Sequence, residues 1–200
     1  MNIEFSKDGI RFKRELSELD KFVFRFIDLL EESETDYVIV SGYVSILLGR
    51  TRTTEDVDIL IDKIEVEKFK DFYNSVYNNK MWILNEVKLD KAYSMLEDGL
   101  AIRVAEKNEV IPNIELKFTK EDLDYIAMKT RLKVLVNDKQ AFISNIELQI
   151  AFKFYLGTNK DIEDAIHLYE LFKDKLDNKL MKEFAEKLDA VKIMKRYKVL

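Results

Sequence analysis

The sequence predicts an α/β (α+β) protein, with a small mixed-sheet lobe over residues 1–144 followed by a helical lobe over 145–200. Three observations lead there. Up to about Ser144, short runs with apolar residues at every second position alternate with segments whose apolar residues recur every three or four. From Ile146 onward only the helical period persists, in three expected helices. Finally, 47% of the 200 residues are apolar, enough to bury a core in one unit or in two tightly packed lobes.

The elements follow in order. Leu16, Leu19, Val23, Phe26, Ile27 and Leu30 share helical spacing and predict an opening helix over 16–30. Residues 37–40 read as a strand, Ser41-Gly42 as a tight turn, 43–48 as a short helix and 57–61 as a second strand. Over 65–78 a helix turns Val66, Phe69, Phe72, Tyr73 and Val76 inward, and Trp82 beyond it is assigned to the core. A helix over 89–97 stops at the turn signal Asp98-Gly99. Strands are expected over 100–105 and 114–118, with Pro112 at the entry to the second, and over 131–136 and 141–143. Ser144-Asn145 joins the lobes, and no repeat or low-complexity linker interrupts them.

The chemistry gathers between residues 41 and 58. Side chains two apart on a strand share a face, so Asp56 and Asp58 project together while Val57, Ile59 and Ile61 pack behind. Two adjacent carboxylates repel unless a cation lies between them, and an oxygen-only ligand set favours Mg2+ or Mn2+. Ser41-Gly42 stands where a helix begins, with free backbone N–H groups that suit phosphate. Arg50 and Arg52 precede the acidic strand and are candidates to clamp phosphate oxygens. Together these residues make a plausible phosphoryl-transfer site.

The run Val38-Ile-Val-Ser-Gly42, followed by Asp56-Val-Asp58, resembles the nucleotidyltransferases of the DNA polymerase beta superfamily. Their signature is a hydrophobic strand ending in Gly-Gly or Gly-Ser, a short helix, then an acidic-hydrophobic-acidic triplet. Ser41-Gly42 reverses the commoner order, in which glycine comes first. The stretch from Gly49 to Asp58 looks most like the prokaryotic toxin–antitoxin and abortive-infection branch. That resemblance implies a third carboxylate on a later strand, and Glu115 takes the place, as metal ligand or as base. An amphipathic strand with one wet face explains Glu115 equally simply. The resemblance also implies a lysine-bearing helix followed by a Lys/Arg-Asp-x-x-Asp element, where Lys153, Lys160, Asp161 and Asp164 stand. Lys153 is expected to approach the triphosphate, and Asp164 to orient a lysine or the nucleotide. Gly157 ends the first helix; Asp161 caps the next or serves the site, and both readings stand. Tyr43 is expected to border the nucleotide pocket, whereas His167, the only histidine, is left outside the site.

The implied reaction moves a nucleoside monophosphate from a nucleoside triphosphate to a hydroxyl, on a tRNA 3′ end or other RNA, or on a partner protein. The implied partners are tRNA or a cognate toxin or antitoxin. The alternative is a noncatalytic nucleotide-binding or antitoxin-like partner that keeps the fold. Composition narrows the setting. A net charge of −5 argues against nonspecific DNA binding. Lys129, Arg131 and Lys133 read as the wet side of an ordinary strand, and Lys192, Lys195, Arg196 and Lys198 form a second basic cluster. Without cysteine there are no disulfides and no thiolate metal sites. The polar opening residues Met1 to Asp8 lack the apolar region of a signal peptide, and no run is long enough to span a membrane. A cytoplasmic protein is expected.

Overall fold

The chain opens with an element that its periodicity does not reveal. In the computed structural model, which describes residues 3–6, 9–86 and 88–200, β1 (Ile3–Ser6) pairs antiparallel with β2 (Gly9–Phe12). Strands of four residues are too short for alternation to stand out. Met1, Asn2, Lys7 and Asp8, part of the polar opening segment, lie outside the described residues.

Helix α1 (Glu18–Glu32) begins with a capping box, in which the Ser17 hydroxyl accepts from the Asp20 amide and the Asp20 carboxylate accepts from the Ser17 amide. Asp20 does more than cap. Fully buried, it accepts two bonds from the Arg14 guanidinium, each 2.7 Å, and one from the Tyr43 hydroxyl at 2.7 Å. Burial alone would raise the Asp20 pKa, but the bonds from Arg14, Ser17 and Tyr43 outweigh it and hold the carboxyl below its ordinary value. A depressed native pKa gives stability that is complete above the unfolded value of 3.8 and is lost as pH falls through the native one. In an acid titration followed by circular dichroism, Asp20→Asn should therefore start less stable at neutral pH and lose less stability below about pH 4 than the parent chain.

The remaining elements follow the expected order with three additions: a strand over Met81–Ile83, a helix over Asp122–Lys129 and a fourth closing helix. After α1 come β3 (Tyr37–Ile39), α2 (Gly42–Leu47), β4 (Asp56–Ile61) and α3 (Val66–Asn78). Then β5 (Met81–Ile83), α4 (Leu89–Glu97), β6 (Ile102–Glu106) and β7 (Asn113–Phe118) follow. Helix α5 (Asp122–Lys129) precedes the hairpin β8 (Leu132–Val136) and β9 (Lys139–Ile143). Four helices, not three, close the described chain: α6 (Ile146–Leu156), α7 (Asn159–Phe172), α8 (Asn178–Lys187) and α9 (Val191–Arg196). The last is only six residues, which hides it in a period reading. Trp82 lies in the short strand β5 and is half-buried rather than core; its Nε1 donates to the Glu109 carbonyl at 2.9 Å.

The described strands form one nine-stranded mixed sheet in the order β1-β2-β8-β9-β3-β4-β7-β6-β5. The pairs β2/β8, β9/β3 and β4/β7 are parallel, and the others antiparallel. Strand β4 therefore sits centrally, with β3 on one side and β7 on the other. Its inner face, Val57, Ile59 and Ile61, is wholly buried, and the same buried cluster extends from Ile10 to Val199. That burial anchors the strand whose other face carries the aspartates.

Candidate active site

Strand β7 runs parallel to β4 in a register that sets Asp58 beside Glu115 and Leu60 beside Lys117. Alternation then puts Asp56, Asp58, Glu115 and Lys117 on one face. Asp56 is exposed, with the Thr54 hydroxyl donating to it at 3.2 Å. Asp58 is half-buried, and its pKa is raised, first by burial, then by the charges of Asp56 and Glu115. The Lys117 ammonium and the Ser41 hydroxyl pull in the opposite direction.

Glu115 has a partner the sequence reading did not include. On β6, Arg103 pairs with it across the strands and donates from Nε at 2.9 Å and Nη2 at 2.7 Å, both to Oε1. Among the described residues, no three histidine, aspartate or glutamate side chains form a ready metal cluster. The Arg103 pairing holds one Glu115 oxygen and leaves the other. In ligand type the set suits a divalent cation: it is all oxygen, and burial together with the charges of Asp56 and Glu115 raises the Asp58 pKa.

The turn before α2 is strained. Ser41 adopts φ 61° and ψ −134°, a region that L-residues occupy at a cost of about 1–3 kcal/mol. Gln149 of α6 holds it, donating from Nε2 to the Ser41 carbonyl at 2.5 Å, while the Ser144 hydroxyl fixes the Gln149 side chain at 2.7 Å. Gly42 is required for a separate reason. A Cβ there would lie 2.5 Å from Arg52 Nη2, so the glycine makes room for a guanidinium. Gly42→Ala should displace Arg52 and destabilise the chain by about 1–3 kcal/mol, measurable by urea denaturation. A neutral substitution would show that Arg52 shifts freely.

Arg52 does not reach for an open phosphate position. It grips fully buried Asp164 with both arms, Nε to Oδ1 at 3.0 Å and Nη2 to Oδ2 at 2.9 Å. Arg50 pairs with Glu163, and its Nε lies 3.7 Å from Asp164 Oδ1. Lys153 is only 3% exposed at its side chain; its Nζ is 2.6 Å from Asp161 Oδ1 and 3.4 Å from Asp164 Oδ2. Asp161 is not the cap of α7. Thr158 is, accepting from the Asp161 amide, and its hydroxyl donates to Asp161 Oδ2 at 2.6 Å. Burial would raise the Asp161 pKa, but the bonds from Lys153 and Thr158 hold it below its ordinary value. Lys160 is exposed beside this cluster. The structure thus divides the candidates into two groups: Ser41, Gly42, Asp56, Asp58 and Glu115 around the acidic strands, and Arg50, Arg52, Lys153, Asp161 and Asp164 in an ionic cluster.

One expectation about neighbours changes and another holds. Tyr43 does not border the open cavity: it is fully buried, and its hydroxyl is spent on Asp20. An aromatic residue after a turn signals a pocket wall and a core anchor equally, and here packing decided. His167 stays outside the acidic face, with its Nε2 3.1 Å from the Leu48 carbonyl. A cavity of about 450 Å³ opens at the acidic face, with Ser41, Asp58, Glu115 and Lys117 at one end. Leu123 and Ala127 of α5 and Leu148 and Phe152 of α6 line its apolar end.

A scan of protein-family models and a search of curated proteins found no match. Among solved structures the fold has clear counterparts. One is an antigenic nucleotidyltransferase-like protein from Paracoccidioides brasiliensis, at TM-score 0.51 and 19% identity, covering 83% of this chain and 84% of that one. Another is ANT(2″)-Ia in complex with adenylyl-2″-tobramycin, at TM-score 0.53 and 14% identity, covering 82% and 95%. A third is the lincosamide antibiotic adenylyltransferase LnuA, lincomycin-bound, at TM-score 0.53 and 16% identity, covering 79% and 99%. The chain has the fold of nucleotidyltransferase-like proteins.

Proposed function

We propose that the chain is a metal-dependent nucleotidyltransferase, with residues 1–144 as the acidic-sheet lobe and 145–200 as a helical lobe that closes it. The observation that carries the proposal is the in-register pairing of Asp58 with Glu115, beside the Ser41 turn and at the mouth of the cavity. An acceptor hydroxyl oxygen attacks the α-phosphorus of a nucleoside triphosphate. A new P–O bond forms, the bond to the β-phosphate bridging oxygen breaks, and pyrophosphate leaves with that electron pair. Asp56, Asp58 and Glu115 would hold Mg2+ or Mn2+, which when bound supplies Lewis-acid activation of the hydroxyl and neutralises charge on the phosphates. Glu115 serves as the base for the hydroxyl proton when it is not engaged as a ligand. Ser41 and Gly42 offer backbone N–H groups to phosphate oxygens. The cluster of Arg50, Arg52, Lys153, Asp161 and Asp164, with Glu163 on Arg50, positions that turn, and exposed Lys160 adds a positive charge beside it.

Resemblance to the toxin–antitoxin branch supports an RNA 3′ end or a partner-protein hydroxyl as acceptor, with a cognate toxin or antitoxin as partner. The cavity supports a second acceptor class, a small molecule bearing a hydroxyl. Its volume of about 450 Å³ lies within the roughly 300–1,000 Å³ range typical of small-ligand sites. Two structural neighbours, ANT(2″)-Ia and LnuA, are bound to adenylyl-2″-tobramycin and to lincomycin. No helix among the described residues is long and apolar enough to cross a membrane. Use of a nucleoside triphosphate is consistent with action in the cytoplasm.

The test is incubation with each α-labelled nucleoside triphosphate and Mg2+ in the presence of tRNA, cell-lysate protein or a lysate small-molecule fraction. Label in RNA, protein or the small fraction identifies the acceptor class. Absence of label from all three, with intact nucleotide binding, would replace this proposal with the noncatalytic partner.

A further inference from the structure

The ionic cluster leaves the acidic face with a charge problem. A triphosphate brought to Asp56, Asp58 and Glu115 meets three carboxylates, and the lysine expected to offset them, Lys153, is sealed between Asp161 and Asp164. A bound divalent ion offsets part of that charge. The remaining cation must stand on the acidic face, accessible from the cavity and not already paired.

Two lysines line the cavity. The Lys120 ammonium donates to the Asp98 carbonyl at 2.9 Å. Lys117 is half-buried, two positions from Glu115 on the same strand face, and makes no ion pair or side-chain hydrogen bond among the described residues. Its ammonium is close enough to act on the Asp58 carboxyl through charge. A half-buried lysine without a partner sits where a ligand's negative charge completes the pairing.

We propose that Lys117, in place of Lys153, is the residue that holds the triphosphate of the bound nucleotide. This rests on the nucleotidyltransferase reading of the same face. From β7, Lys117 acts as a flexible point charge on phosphate oxygens, which leaves Asp58 and the Glu115 oxygen that Arg103 does not hold for metal and acceptor. The apolar end of the cavity, at Leu148 and Phe152, is left for the nonphosphate part of a ligand.

The experiment is isothermal titration, with Mg2+ present, of ATP, GTP, CTP and UTP in turn and of the corresponding nucleosides. The chains compared are the parent, Lys117→Ala, Lys117→Arg and Lys153→Ala, with a thermal melt for each. Lys117→Ala should bind the preferred triphosphate at least about 10-fold more weakly, the scale of one charge-assisted contact, with nucleoside affinity and Tm unchanged. Lys117→Arg should recover most of that loss. Lys153→Ala should instead lower Tm, because it leaves buried Asp164 short of one cation. Undiminished triphosphate binding by Lys117→Ala overturns the assignment alone, and so does an equal loss for the nucleoside. Failure of the parent chain to bind any triphosphate overturns the nucleotidyltransferase reading and this assignment with it.

Discussion

Asp58→Asn is expected to abolish nucleotidyl transfer while raising the melting temperature at neutral pH. The two effects share one cause. Burial and the charges of Asp56 and Glu115 raise the native Asp58 pKa above 3.8. A carboxyl with a raised native pKa contributes its stability below the unfolded value and loses it as pH climbs through the native one. At neutral pH the ionised group is a net cost, which asparagine removes. Each kcal/mol relieved lifts Tm by about 2–4 °C for a chain of this size. Transfer should fall on the order of 10²–10³-fold or more, because the group that organises the reacting charge is gone. Melts with and without Mg2+ complete the test. The parent chain should gain stability from an ion that binds only its native state, and the variant should not. Undiminished turnover in Asp58→Asn would sink the assignment of this face as the reactive one.

Asp164→Ala is expected to be the most destabilising single substitution in the site region. Asp164 is fully buried and neutralises Arg52 through two bonds, Lys153 at 3.4 Å and Arg50 at 3.7 Å. Removing it leaves the largely buried Arg52 without a carboxylate, while Lys153 keeps Asp161 and Arg50 keeps Glu163, and breaking a buried pair in this way costs about 3–5 kcal/mol. That corresponds to a Tm loss on the order of 10 °C. Lys160→Ala is the matching control, since Lys160 is exposed and its removal should change stability by less than about 0.5 kcal/mol. Equal melts for both variants would show that the cluster is strong only on paper.

The acidic strands were legible because alternation is a local property. Asp56 and Asp58 share a face wherever the strand is placed, and so do Glu115 and Lys117. That β4 and β7 are parallel neighbours with Asp58 beside Glu115 is a matter of sheet order, which no local pattern encodes. Arg103 escaped notice for the same reason: only the β6/β7 register brings it to Glu115. Lys153 is placed by type and spacing, yet what separates it from Lys117 is pairing, which neither encodes: Lys153 is sealed by two aspartates, and Lys117 has no ion pair among the described residues. A signal for Gln149 did exist, as one of three polar residues, with Glu147 and Lys153, in the mostly apolar Ile146–Leu156 helix. The N-terminal hairpin and α9 were too short for periodicity to detect.

The turn at Ser41 also carries a consequence for the order in which the molecule is made. Its carbonyl is held by Gln149, 108 positions later, and Arg52 beside it by Asp164, 112 positions later. Both acidic strands are synthesised before either of those groups. Until then the serine backbone has nothing to keep it in its unfavourable conformation and relaxes. A chain halted before α6 would carry its carboxylates but lack the shaped turn beside them. The shape of that turn therefore arrives with α6 and α7, after the acidic strands are already in the chain.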